Sequence, residues 1–214
     1  MMNCSRYGED GIHIFFGEEI KDEVCESIRR FTLFLKSVRL PEIIDIIPSF
    51  RSCLIHFDLR QTSSERLIAF LKKSQGKIDR LQIPDPLTHE IPVSYGGEDG
   101  PDIGFVTSYS GLSREEVVEI HTSKIYTVFA VGFMPGFPYL GTLDRRLYVP
   151  RLETPRVKVP QGSVGLAQHQ TGIYPFESPG GWQIIGKTSV QLFNWTKEPY
   201  SLLQIGDRVR FFRQ

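Results

Sequence analysis

Residues 131–188 read VGFMPGFPYLGTLDRRLYVPRLETPRVKVPQGSVGLAQHQTGIYPFESPGGWQIIGKT, and this stretch decides the fold of the second half of the chain. Seven of the chain's 14 prolines lie in it. Because proline fixes φ and lacks a backbone donor, a regular helix cannot run through the stretch. Its glycines permit tight turns and a close approach of a ligand to the backbone. The stretch therefore predicts short strands and shaped loops, as in a closed barrel or a sandwich.

The first third of the chain shows the periodicities of both strands and helices. Alternating or β-branched apolar runs predict three strands, at residues 12–16, 43–47 and 52–57. Apolar residues that step by three and four predict an amphipathic helix over residues 20–38. Thr62 with Glu65 forms the capping-box signature of a second helix. A fourth strand, at residues 78–83 or 91–95, would complete the order βαββαβ of a ferredoxin-like domain.

Two prolines, Pro84 and Pro86, mark a domain boundary because they disfavour helix and supply few backbone donors. We therefore predict an α+β fold, with a ferredoxin-like domain at residues 1–83 and a second domain at residues 84–214. The second domain begins with a short helix and continues with a helix capped by Ser113. Strands are then predicted at residues 125–131, 157–159, 182–185, 189–193 and 208–212.

The composition argues against several classes of protein. Lys and Arg number 25, and Asp and Glu also number 25, so the net charge is zero and no basic run follows a nucleic-acid backbone. No apolar stretch approaches the ~18 residues of a membrane helix, and the acidic N-terminus lacks the basic start of a signal peptide. Cys4, Cys25 and Cys53 are odd in number and have no CxxC spacing. We therefore expect a cytoplasmic protein that binds no nucleic acid, membrane or metal.

Polar and aromatic residues of the 131–188 stretch form a candidate binding site. Gln170, Thr171 and Tyr174 offer an amide, a hydroxyl and a phenol, the groups that recognise the edge of an amide or lactam. Trp182 adds a flat wall, and Ser178 either donates to a ligand or only begins a turn. We predict substrate binding by Gln170, Thr171, Tyr174, Ser178, Gly180, Gly181, Trp182 and Lys187.

Two ionisable residues are candidates for a catalytic role. Arg156 follows a proline and presents a planar fork suited to a carboxylate, although a structural bridge to Glu153 or Asp144 is an equal alternative. His121 ends the helix capped by Ser113. Its ordinary pKa near 6.5 suits a proton carrier, but a cation at a helix C-terminus is the simpler account.

The segment GWQIIGKT at residues 181–188 matches the phosphate-loop pattern G-x-x-x-x-G-K-[ST]. A phosphate loop must open a helix, whereas Trp-Gln-Ile-Ile and the alternating residues 189–193 indicate strands. We therefore reject a nucleotide loop. Lys187 remains a candidate contact for a carboxylate or phosphate, or a solvated lysine at a strand end.

Several segments resemble a known family in order along the chain. They are GFMPGFPYLG (132–141), TPR (154–156), VPQGSVG (159–165) and QTGIYPFESPGGWQIIGKT (170–188), with IPVSYGGEDGPD (91–102), GLSREEVVEIHTS (111–123) and LLQIGDRVRF (202–211) around them. On these motifs the chain resembles the family known as the B-type subunit of 5-oxoprolinase, allophanate hydrolase subunit 1 and kinase A inhibitor. His169 departs from the family pattern. The resemblance implies a cyclophilin-like β-barrel for residues 84–214.

The resemblance also implies a function and partners. It indicates a B-type component that opens 5-oxoproline to glutamate together with a homologous C-type subunit and a separate A-type subunit. ATP would be a co-substrate of the complex, and this chain would bind no cofactor alone. Two alternatives remain open: a carboxyltransferase-like component related to allophanate hydrolase or urea amidolyase, and a non-enzymatic inhibitor of a sporulation histidine kinase.

Overall fold

The computed structural model describes residues 3–214, and the chain forms two compact units that divide between Asp85 and Pro86. None of the helices within these residues combines the length and the apolar character needed to cross a membrane. In chain order, the first unit consists of β1 (Asn3–Tyr7), β2 (Gly11–Phe15), α1 (Asp22–Val38), β3 (Ile43–Pro48), β4 (Ser52–Phe57) and α2 (Ser64–Arg80).

The first unit is one antiparallel sheet with two helices packed on it. The strand order is β1-β2-β4-β3, and each neighbouring pair is antiparallel. Ile12, Ile14 and Ile55 of the sheet are fully buried, as are Phe31 of α1 and Leu71 of α2. The alternation of β2 and the three-and-four spacing of the helices therefore meet in a single core.

The predicted βαββαβ order is wrong, because the observed order is ββαββα. The extra strand of the sheet comes at the start of the unit and not at its end. β1 pairs with β2 at one edge of the sheet. Ile78, proposed for a last strand, completes the buried stripe of α2 instead, and residues 91–95 belong to the second unit. β1 was missed because its sequence, NCSRY, is mostly exposed and shows no apolar alternation. Moving β1 from the start to the end of the unit would restore the predicted order.

The N-cap of the second helix lies one residue later than predicted. Ser63 is the N-cap residue of α2, and its hydroxyl accepts a hydrogen bond from the backbone of Arg66 at 3.4 Å. Thr62 and Glu65 therefore do not form the predicted capping box. The two hydroxyl residues are adjacent, and the sequence alone did not distinguish between them.

The second unit is a closed barrel with two short helices. Its elements are β5 (Thr88–Tyr95), α3 (Ile103–Ser110), α4 (Arg114–Thr122), β6 (Ile125–Val131), β7 (Pro138–Gly141), a 3-10 turn (Arg145–Leu147), β8 (Arg156–Val159), β9 (Ser163–Ala167), β10 (Gln170–Ile173), β11 (Ser178–Gly180), β12 (Gln183–Lys187) and β13 (Arg208–Arg213). The barrel order is β10-β7-β6-β13-β5-β12-β9, and β8 pairs with β11 in a separate ribbon. The expected barrel is confirmed, while the name cyclophilin-like stays a prediction.

The barrel interior is filled from its strands and from both helices. Val93, Val128 and Val164 are fully buried in the same cluster as Val106 of α3 and Val117 of α4. The predicted cap of α4 is confirmed. Ser113 accepts from the backbone of Glu116 at 3.2 Å, and the Glu116 carboxylate accepts from the backbone of Ser113 at 2.8 Å. The helix start is therefore held from both sides.

The strand predicted at residues 189–193 is wrong. Of these residues, only Phe193 makes a β-bridge, with Ser201. The chain bends directly after β12 because the Thr188 hydroxyl accepts a hydrogen bond from the backbone of Val190 at 3.2 Å. The rejection of a phosphate loop therefore rests on β12 itself, whose four residues from Gln183 to Gly186 are buried.

Candidate functional site

Several of the predicted site residues lie on two opposite faces of the barrel wall, whereas Arg156, Ser178 and Gly180 lie on the separate ribbon of β8 and β11. The strands β12, β9, β10 and β7 are consecutive neighbours in the barrel. Along β10, Thr171 and Ile173 are fully buried on the interior. Because side chains alternate along a strand, Gln170 and Gly172 face outward, where Gly172 lies beneath the ring of Trp182. The sheet thus separates residues that the sequence pattern had grouped together.

On the interior face, His121 is fully buried between two hydroxyl groups. Its Nδ1 lies 2.7 Å from the Tyr95 hydroxyl, and its Nε2 lies 3.0 Å from the Thr171 hydroxyl. The Thr171 hydroxyl in turn donates to the carbonyl of Gly165 at 3.0 Å. One proton arrangement uses every donor: Tyr95 donates to Nδ1, and the Nε2–H donates to Thr171. We call Tyr95, His121 and Thr171 the interior chain.

Burial holds the interior chain neutral. It lowers the pKa of His121 to about 3 and raises the pKa of Tyr95. His121 also stacks on the ring of Phe211 at a centroid distance of 4.5 Å. The account of His121 as a cation at a helix C-terminus is therefore wrong, because desolvation opposes the charged form. Its catalytic role stays a prediction, since the geometry gives it a core position away from solvent.

The outer face carries what we call the aromatic cluster: Phe137, Tyr139, Tyr174 and Trp182. Phe137 lies at its centre. Its ring centroid is 5.1 Å from that of Tyr174 and 5.4 Å from that of Trp182, and both pairs are edge-to-face at 82°. Tyr139 packs against Phe137 at 5.0 Å and remains half-buried. These T-shaped contacts are the favoured geometry for aromatic rings and fix the positions of the four side chains.

Glycines make room for the aromatic cluster. Gly172 and Gly165 face each other across β10 and β9. A Cβ at Gly172 would lie 2.9 Å from the carbonyl of Pro138 and 3.0 Å from the ring of Trp182. A Cβ at Gly180 would collide with the Tyr174 hydroxyl. Gly172 and Gly180 therefore permit close packing, which is why glycine is required at these positions.

Arg156 is held by a carboxylate that the sequence pattern did not connect to it. Its Nη2 donates to Oδ1 of Asp102 at 2.5 Å. The Oδ2 of Asp102 accepts from the backbone of Ile184 at 2.6 Å. The expected bridge partners, Glu153 and Asp144, are wrong: Asp144 accepts hydrogen bonds from Arg146 instead. Because Asp102 lies 54 residues from Arg156, no local pattern could have shown the pair.

Polar groups surround the aromatic cluster. The Nε2 of Gln170 is shielded and has no hydrogen-bond partner within residues 3–214. The guanidinium of Arg151, an exposed side chain, lies 6.0 Å from the ring centroid of Trp182. Burial raises the pKa of Tyr139, and Arg151 acts in the opposite direction. Burial raises the pKa of Tyr174 to about 12, partly offset by a backbone hydrogen bond from Trp182. The outer face thus offers a donor, a cation and the half-buried ring of Tyr139, which packs on the buried rings of the cluster.

Three of the predicted residues lie away from this arrangement or only shape it. The Ser178 hydroxyl donates to the carbonyl of Pro179 at 3.1 Å, so it serves its own turn. Lys187 is exposed at the end of β12. The carbonyl of Gly181 accepts a hydrogen bond from Leu152 at 2.8 Å, which anchors the loop before Trp182. Sequence reasoning missed Asp102 and Phe137 as parts of the site.

Comparisons with known proteins agree with the motifs. Residues 2–203 match the model of the family called carboxyltransferase domain, subdomain C and D. The B-type subunit of 5-oxoprolinase from Bacillus subtilis (strain 168) is 38% identical over 216 residues, covering 96% of this chain and 90% of that protein. The B-type subunit of 5-oxoprolinase from Escherichia coli O157:H7 is 41% identical over 186 residues, covering 87% and 85%.

Solved structures show the same fold in longer chains. The structure of the protein TTHA0988 is 36% identical with a TM-score of 0.85, over 96% of this chain and 40% of that chain. This chain therefore spans two fifths of TTHA0988. The urea amidolyase of K. lactis is 19% identical with a TM-score of 0.78, over 100% of this chain and 15% of that chain, which shows a shared fold. The resemblance predicted from the motifs is confirmed. The chain belongs to the carboxyltransferase subdomain C and D family, which includes the B-type subunits of 5-oxoprolinase.

Proposed function

We propose that this chain is the B-type subunit of a cytoplasmic, ATP-dependent 5-oxoprolinase, which opens 5-oxoproline to glutamate together with its A-type and C-type subunits. The observation that carries the proposal is the identity of 38% to the B-type subunit of a 5-oxoprolinase over 90% of that protein's length. The urea amidolyase likeness, at 19% identity, supports a common fold and no particular substrate.

The outer face of the barrel suits this substrate. 5-Oxoproline is a small flat lactam with a carboxylate, so a site for it needs donors to a carbonyl, a cation and an aromatic wall. Gln170 offers an amide N–H group that lacks a partner within the described residues. Arg151 offers the cation beside the ring of Trp182. These groups recognise an amide edge and a carboxylate through hydrogen bonds and charge.

The proposal also explains why partners are needed. The segment from Gly181 to Thr188 that matches a phosphate loop contains the buried strand β12, so it cannot wrap the phosphates of ATP. We therefore assign nucleotide binding to a partner in the complex. In TTHA0988, this fold makes up 40% of a longer chain. That arrangement is consistent with a site that is completed by a further region, supplied here by a separate polypeptide.

Reconstitution tests the proposal. The purified chain alone is expected to show no 5-oxoproline-dependent ATP hydrolysis, and the mixture with the A-type and C-type subunits is expected to show it.

Two variants test the outer face as the substrate site. Gln170→Met and Arg151→Met should each raise KM for 5-oxoproline about tenfold, because each removes one charge-assisted or buried hydrogen bond. The matched controls, Gln161→Met and Arg145→Met, change exposed residues and should leave KM unchanged. Full turnover by the single chain, or inactivity of the complete mixture, contradicts the proposal.

A further inference from the structure

A cavity of about 180 Å³ lies in the first unit, and all of its lining residues belong to that unit. Arg30 of α1 and Gln75 and Asp79 of α2 form part of its wall. Phe15, Phe16 and Ile78 supply an apolar side. The cavity opens to solvent on one side, and its size is similar to that of a cavity of about 150 Å³ that binds benzene, so a molecule with a five- or six-membered ring fits it.

Of the four polar side chains that line the cavity, Ser27, Arg30, Gln75 and Asp79, Arg30 and Gln75 are each held at one end and unpaired at the other. Nη2 of Arg30 donates to Glu26 at 2.5 Å, and Nε2 of Gln75 donates to Asp79 at 2.7 Å. Both contacts join residues four apart on one helix, at positions exposed enough for the side chains to change rotamer. Within residues 3–214, Nε of Arg30 and Oε1 of Gln75 have no hydrogen-bond partner although both are shielded from solvent. An unpaired buried donor and an unpaired buried acceptor each cost free energy.

The charges of the wall select the kind of ligand. Glu26 already balances the guanidinium of Arg30, and Asp79 adds a further negative charge beside Gln75. An anion would therefore gain little from Arg30 and would be repelled by Asp79. A neutral molecule with one acceptor and one donor on the same edge meets both unpaired atoms without that cost.

We propose that this cavity is a second binding site, for a small neutral amide such as a lactam. The ligand carbonyl accepts from the Nε–H of Arg30, and the ligand N–H donates to Oε1 of Gln75. The hydrocarbon part packs against Phe15, Phe16 and Ile78. Because both atoms are shielded in this structure, the proposal requires each side chain to rotate so that its unpaired atom meets the ligand. The proposal rests on the first unit alone and is independent of the proposed function of the barrel.

The probe is 2-pyrrolidinone, a neutral lactam with a cis amide edge, titrated into the full chain and followed by protein NMR. Shifts are expected at the Gln75 side-chain amide and at Phe16. N-methyl-2-pyrrolidinone keeps the acceptor and lacks the donor, so it should bind about tenfold more weakly. 5-Oxoproline, an anion at neutral pH, should cause no shifts at these residues. Whether 5-oxoproline binds to the barrel does not affect this test, because the shifts are read at residues of the first unit.

Variants complete the test. Gln75→Met removes the acceptor at similar volume and should weaken 2-pyrrolidinone about tenfold. Gln82→Met, at an exposed residue outside the cavity, should have no effect, and thermal melts confirm folding. The proposal is overturned if 2-pyrrolidinone causes no shifts at Gln75, which would mean that water or an Arg30–Gln75 contact satisfies the two atoms. Equal affinity for both pyrrolidinones, or for wild type and Gln75→Met, also overturns it.

Discussion

The two faces of the barrel wall differ in how their polar groups are satisfied. On the interior, His121 makes a hydrogen bond at each ring nitrogen and is shielded from solvent. On the outer face, the Nε2 of Gln170 has no hydrogen-bond partner within the described residues. Interior residues of the wall pack into one apolar core. Outward positions include Gly165 and Gly172, which make room for the rings of Phe137 and Trp182. A satisfied, neutral network stabilises the barrel, while the spare donor of Gln170 and the half-buried ring of Tyr139 can recognise a ligand.

The largest effect is expected from breaking the interior chain. His121→Ala leaves a cavity and removes the partners of the buried Tyr95 and Thr171 hydroxyls. The free energy of unfolding at pH 7 should fall by about 3 to 5 kcal/mol. Urea unfolding measures this change, and His169→Ala is the control at an exposed histidine. Equal stability of the two variants would show that the interior chain contributes nothing.

The same variant gives a pH test with a definite sign. The unfolded chain protonates His121 near pH 6.5, whereas burial lowers the pKa of His121 in the folded protein to about 3. The stabilisation is therefore complete above pH 6.5 and is lost as the pH falls toward 3. The titratable groups packed against the ring, Tyr95 and Tyr126, are neutral throughout this range. From pH 7.5 to pH 5 the stability difference between wild type and His121→Ala should narrow by about 2 kcal/mol. A constant difference contradicts the assignment.

The next effect concerns the outer face and separates two roles of Arg156. If Arg156 anchors the substrate carboxylate, Arg156→Ala should lower kcat/KM of the assembled complex about ten- to two-hundredfold without loss of folding. Arg156→Lys should also impair activity, because an ammonium lacks the planar fork. Steady-state kinetics and thermal melts measure both properties.

Asp102→Asn is the matched variant for this comparison. It keeps an oxygen that accepts from the backbone of Ile184 and removes the charge that holds Arg156. If Arg156 has only a structural role, Asp102→Asn and Arg156→Ala should lower the melting temperature by similar amounts. Activity should then fall only as far as the fraction of folded protein does. Normal activity in folded Arg156→Ala ends the substrate-anchor role.

Sequence reasoning succeeded where the signal was local. Ser113 with Glu116 predicted the cap of α4, and the alternation over residues 125–131 predicted β6 with the bounds that the structure shows. It failed for β1, an exposed edge strand without apolar alternation, and for the Arg156–Asp102 pair, which only the closed barrel brings together.

One failure was avoidable. Gln170 and Thr171 were grouped as neighbours in one site, although adjacent residues of a strand point to opposite faces. The period of two along β10 was therefore enough to place Thr171 with the core and Gln170 with the ligand-facing side.

The smallest effect tests whether glycine is required beneath the aromatic cluster. In Gly172→Ala the new Cβ would lie 2.9 Å from the carbonyl of Pro138 and 3.0 Å from the ring of Trp182. Neither neighbour can yield easily, because the first is backbone and the second is packed at 5.4 Å against Phe137. Overpacking of this kind costs about 1 to 3 kcal/mol.

The control is Gly104→Ala in helix α3, where a Cβ meets no atom within 4 Å among the described residues. That change should stabilise the protein by about 0.4 to 1 kcal/mol, because alanine restricts the unfolded chain. Urea unfolding of both variants measures the difference. Trp182 is buried and Trp195 is 82% exposed, so a change in the blue-shifted part of the fluorescence spectrum reports on the cluster. If Gly172→Ala stabilises as Gly104→Ala does, the rings are free to move, and the outer face is not the rigid wall that substrate recognition there requires.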